Sequence, residues 1–73
     1  MLIQKYKIDT YTDVQVLQEQ AKKCHESVTV YDHKHSRANA KSILGLMSLS
    51  YQEPITVECD LESFFSMLPL EKA

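Results

Sequence analysis

Polar and apolar residues alternate in several short stretches of the chain, and between them apolar residues recur at helical spacing. Near the start, Tyr6 and Ile8 alternate with Lys5 and Lys7, which predicts a strand over 2–8 with one wet face and one dry. Residues 9–12 are a polar break rich in capping side chains, and Thr12 or Asp13 is expected to cap the helix that follows. Val14, Leu17, Ala21 and Cys24 then fall on one helical face, with Gln15, Gln18, Glu19, Lys22 and Lys23 opposite, so the helix is expected to run to Cys24. Lys22 and Lys23 lie near its end, where cations suit the helix dipole.

Beyond it, Val28 and Val30 alternate with Thr29 and Tyr31 in a strand over 27–32. The polar turn 33–36 and a return strand over 37–40 complete a hairpin, although no Asn-Gly or Asp-Gly pair marks its turn. Ser42 opens a short second helix whose Ile43, Leu44, Leu46, Met47 and Leu49 make it apolar nearly all round. Such a helix cannot bury every side chain against one sheet, so part of it is expected to stay exposed or to meet a partner. Pro54 suits the start of a strand over 54–59 that turns Ile55, Val57 and Cys59 inward. Asp60 is expected to cap a last helix with a stripe of Leu61, Phe64, Phe65 and Leu68, stopped by Pro69. The order β-α-β-β-α-β-α predicts an α+β domain, one sheet under one layer of helices.

Composition narrows the function classes. Seventy-three residues make one domain, 1–73, with no repeat or linker, and a chain this short buries only about 60% of its unfolded surface. Eight basic and ten acidic residues give a net charge of −2, which argues against a nucleic-acid partner. No apolar run is long enough to span a bilayer, so no membrane partner is expected. The start lacks a charged region followed by a long apolar stretch, so no signal peptide and a cytoplasmic location are expected. Cys24 and Cys59 are read as small core hydrophobes with reduced thiols.

Little in the chain points to catalysis. No Ser-His-Asp, Cys-His or paired-carboxylate arrangement stands out, and no cofactor is expected. Asp9, Asp13, Glu26 and Asp32 stand at element ends, where capping accounts for them. His33 and His35 form a His-x-His pair in a turn; two ligands do not make a structural zinc site, which takes four, so the pair is read as an exposed turn and no metal site is expected. His25 follows a helix, and none of the three histidines precedes one.

The segment Lys41-Ser42-Ile43-Leu44-Gly45-Leu46-Met47-Ser48-Leu49 resembles the regulatory segment of the HPr phosphocarriers of the phosphoenolpyruvate-dependent sugar phosphotransferase system. That segment typically reads Lys-Ser-Ile-Met-Gly-Val-Met-Ser-Leu, and the two differences are conservative apolar changes. Ile55-Thr56-Val57 followed by Asp60 is similar to the family's fourth strand and its exit, and Ala21 and Val28 sit at family spacings. The resemblance covers most of the chain, with one extra residue in the 33–36 hairpin, and is sharp over 41–49. It implies an open-faced two-layer sandwich: a four-stranded antiparallel sheet, order 1-4-2-3, covered on one face by three helices. It also implies a trimmed C-terminus, since the last helix is short for the family.

The resemblance breaks at the first helix. HPr proteins carry a phosphorylated histidine there in a Gly-x-His-Ala-Arg-Pro-Ala setting, where helix N–H groups and an arginine suit a phosphate. Counted back from Ala21, the positional counterparts are Thr10 for the histidine, Thr12 for the arginine and Asp13 for the proline. None can take the family role, and Asp13 adds negative charge where phosphate would sit. The resemblance marks Ser42 as a regulatory phosphorylation candidate, where a helix cap is the plainer role, and Ile43, Leu44 and Met47 as a partner-binding patch, with core burial the alternative.

The leading expectation is thus a non-enzymatic, degenerate HPr-like module without the acceptor histidine, regulating or binding protein partners through its second helix. One alternative is a working phosphocarrier using another acceptor, such as Thr10 or His25. Another is a ferredoxin-like, ACT-type domain binding a small ligand, which ranks low in a chain with one glycine.

Overall fold

The structure is a computed structural model that describes residues 2–73. Its elements in chain order are β1 (Leu2–Lys7), α1 (Tyr11–Lys22), β2 (Val28–Tyr31), β3 (Arg37–Asn39), α2 (Ile43–Met47), β4 (Ile55–Cys59), α3 (Glu62–Met67) and β5 (Glu71–Lys72). All strand pairings are antiparallel. The class is α+β, an open antiparallel sheet with three helices, as expected.

Strand alternation decides which face is covered. Tyr6, Val28, Val30, Ile55, Val57 and Cys59 point to one side and are buried in a single core with Leu17, Ala21, Leu46 and Phe64 from the helices. Lys5, Thr29, Tyr31, Thr56 and Glu58 point to the other and stay exposed or half-buried. The registers Val30↔Val57 and Tyr6↔Ile55 align the inward residues of neighbouring strands; a slip of one residue would turn each apolar set into water.

The four-stranded sheet of order 1-4-2-3 needs correction. The sheet has five strands in the order β3-β2-β4-β1-β5, so β1 is not an edge strand along its whole length. After α3, Leu68 takes the extended backbone required before a proline, with φ −80° and ψ 112°. The chain then returns beside β1, pairing Lys72 with Tyr6 and Glu71 with Lys7, and the Ala73 N–H donates to the Lys5 carbonyl at 3.1 Å. Two polar residues carry no periodic signal, which is why the pattern hides this strand.

Two caps also differ. Thr10, not Thr12 or Asp13, is the N-cap of α1, and the helix ends at Lys22 rather than Cys24. The N-cap of α3 falls on Leu61, one residue after Asp60, without a side-chain cap bond.

Helix α3 is fixed to the sheet by aromatic rings. Tyr6 stacks on Phe65 with centroids 6.5 Å apart, and Phe65 meets Phe64 edge-on at 5.6 Å. The Tyr6 hydroxyl is buried without a hydrogen-bond partner among the described residues, and burial raises its pKa above the usual phenol value. Because that hydroxyl is desolvated without compensation, Tyr6→Phe is expected to match or exceed the parent in stability, by up to about 1 kcal/mol. Leu17, fully buried at the middle of α1, should behave oppositely: Leu17→Ala is expected to lose about 2–5 kcal/mol. Urea unfolding of the three proteins measures both effects.

Candidate functional site

The amino end of α1 is capped by its own side chains. The Thr10 hydroxyl accepts from the Asp13 N–H at 3.3 Å. The Asp13 carboxylate reaches back to accept from the N–H groups of Thr10 at 3.3 Å and Asp9 at 3.0 Å. This is a capping box with Asp in the place more often held by Glu or Gln, and a carboxylate in the first turn also suits the helix dipole. Thr12 is exposed and takes no part in the box. Thr10 and Asp13 are therefore in contact, and both serve the helix end. No histidine is near: His25 lies past the other end of α1, and His33 and His35 are exposed in the hairpin turn. His35 has φ 67°, a left-handed conformation that non-glycine residues adopt sparingly.

Helix α2 has five residues and would not persist alone; its surroundings hold it. Ser42 is its N-cap, its hydroxyl accepting from the Gly45 N–H at 3.2 Å. At the other end the Ser48 hydroxyl donates to the Gly45 carbonyl at 2.6 Å, and the Tyr51 hydroxyl donates to the Leu46 carbonyl. Gly45 sits over β3, where a Cβ would lie 3.3 Å from that of Ala38, tighter than an ordinary contact. Leu46 is fully buried and Ile43 packs partly against the core, while Leu44 is 80% and Met47 57% exposed. The three apolar residues proposed as one patch are thus divided, with Ile43 half-buried and Leu44 and Met47 facing water one helical turn apart.

The loop after α2 is fastened by Asp32. One of its carboxylate oxygens accepts from the N–H groups of Lys34 and Ser36, each at 2.9 Å; the other accepts from Ser50 N–H at 3.0 Å. The Ser50 bond holds the Asp32 carboxyl below its ordinary pKa; burial opposes this, and the Ser36 and Lys34 bonds and the nearby His33 add to it. Burial, with a smaller contribution from the Asp32 charge, pushes the Tyr51 phenol up to about 12, so it stays a neutral donor. Element-end capping accounts for only half of what Asp32 does. An Asp two residues before a turn N–H is a local signal for the turn, but the bond to Ser50 crosses eighteen positions and leaves no trace in spacing.

Met47, Tyr51, Ile8, Val14 and Tyr11 wall a cavity of about 300 Å³ between α2 and the amino end of α1, with Asp9 and Thr10 also lining it. Tyr11 is half exposed there. Cys24 and Cys59 are both free thiols; Cys59 is in the core and Cys24 packs partly against it. Among the described residues no cluster of three or more His, Cys, Asp or Glu is placed to hold a metal. No helix among them is long and apolar enough to cross a membrane.

The open antiparallel sheet with three helices thus carries a serine-capped apolar helix beside the amino end of its first helix. The family model described as the PTS HPr component phosphorylation site matches residues 14–63, more than half of the chain. The protein therefore belongs to the HPr family of the phosphotransferase system, whose members are phosphocarriers rather than classical enzymes. No curated protein and no solved structure matches the chain.

Because the folded state holds Asp32 below its unfolded pKa, its stabilisation is fully present above about pH 4 and lost as pH falls through the lowered value. Asp32→Asn should lower the urea midpoint at neutral pH. The gap to the parent should close as both are taken below about pH 4, because the parent then loses the same charge. A gap that stays constant with pH would contradict this account.

Proposed function

We propose that this HPr-family protein is a cytoplasmic, non-phosphotransferring module that docks protein partners through α2. The carrying observation is the exposure of Leu44 and Met47 on a helix otherwise anchored on every side. Large apolar side chains held rigidly in water, beside an open apolar cavity, are the usual makings of an interaction surface. Half-buried Ile43 supports the base of that surface.

The amino end of α1 supports the loss of phosphotransfer. The backbone N–H groups of Asp9 and Thr10 are already taken by the Asp13 carboxylate, and a phosphate brought there would meet that charge. Thr10 would give a phosphate ester, a far poorer donor than a phosphoimidazole. On this reading, the family fold is kept for recognition.

Ser42 extends the proposal. It is exposed and next to Ile43 and Leu44, so a phosphate placed there by a regulatory kinase would put charge at the rim of the docking surface and change partner choice.

The test is incubation with phosphoenolpyruvate and the general phosphotransferase-system enzyme, followed by mass spectrometry under conditions that preserve phosphohistidine. No modification is expected. An acid-labile phosphate on any residue would defeat the proposal, and its position would identify the acceptor.

A further inference from the structure

The cavity beside α2 has a chemistry of its own. Ile8 and Val14 are buried in its floor, and Met47 and Tyr11 are more than half exposed at its rim. Tyr51 contributes its ring, since its hydroxyl is committed to the Leu46 carbonyl. At about 300 Å³ the space is at the lower bound for a ligand pocket and open to solvent, a socket for one large side chain.

Among the described residues, the only charged one lining it is Asp9. Asp9 is exposed, and its backbone N–H, not its carboxylate, is used in the capping box. The next charge along is Asp13, also a carboxylate. No basic residue among the described ones lines the cavity. The socket is therefore apolar with an anionic rim, the reverse of a phosphate-binding site.

Building on the docking reading, we infer that the partner is a protein segment that presents an apolar side chain flanked by Lys or Arg. The apolar group seats between Tyr11, Val14 and Met47, Leu44 covers its neighbour, and the cation meets Asp9. Charge complementarity of this kind sets partner choice more than raw affinity.

The test is selection from a library of random displayed peptides on the immobilised protein, with counter-selection on the Leu44→Asp variant. Expected winners combine a large apolar residue with Lys or Arg and lack Asp and Glu. A winning synthetic peptide should shift the amide resonances of Tyr11, Val14, Met47 and Tyr51, and Asp9→Asn should weaken it about threefold, the scale of an exposed ion pair. Winners that are neutral or acidic, or that ignore Asp9→Asn, would overturn the charge inference and leave docking at α2 standing. No enrichment over the Leu44→Asp variant would overturn both.

Discussion

The Asp32 carboxylate accepts hydrogen bonds from Lys34, Ser36 and Ser50, and the position of α2 follows from that. Two of the bonds shape the turn between β2 and β3; the third fastens the loop that leaves α2. Bonds from backbone N–H groups to an ionised acceptor are the stronger kind, and Asp32 is buried. The hairpin and α2 are thereby fixed to one point. A helix of five residues has too few bonds of its own to persist, so where it sits is decided by its neighbours: Ser50 through Asp32, Leu46 through Tyr51, and Gly45 against Ala38. With these fixed, Leu44 and Met47 cannot turn inward, because Leu46 already fills the core position on the opposite side.

The same economy governs the amino end of α1. A helix start exposes backbone N–H groups that need acceptors, and a phosphocarrier would leave them open for its cargo. Here the Asp13 carboxylate takes the N–H groups of Asp9 and Thr10, and the Thr10 hydroxyl takes that of Asp13. A capping box of this kind is itself stabilising. Neither the sheet registers nor the core depends on what those N–H groups meet.

Much of this was legible in the residue pattern, for identifiable reasons. Alternation over Tyr6, Val28, Val30, Ile55 and Val57 gave the inward face of every long strand, because burial on one face imposes period two. The stripe Val14, Leu17, Ala21 placed α1, and Ser42 before an apolar run placed the start of α2. What escaped was short or non-local. Glu71 and Lys72 form β5 through backbone pairing that leaves no side-chain signature. The choice of Thr10 over Thr12 or Asp13 as cap turned on the return contact from Asp13, a contact that the Thr-x-x-Asp spacing of a capping box does encode. The Asp32–Ser50 bond joins residues that meet only once the sheet has formed. Tyr11 and Tyr51 became part of the candidate site for the same reason, since only the packed helices bring them to one cavity.

The core and the cavity beside α2 are one construction. Tyr51 lines the cavity and also holds the α2 carbonyl; Val14 and Ile8 are core residues that form the cavity floor. In a domain of this size, with a thin core, the cavity is assembled from the outer sides of residues that hold the fold. Specificity then has to come from what the core does not need. Asp9, Leu44 and Met47 are exposed and can change without emptying a core position, whereas Val14 and Leu46 cannot. A shift in partner between relatives of this protein would therefore be written in those three exposed positions first, with the scaffold beneath them unchanged.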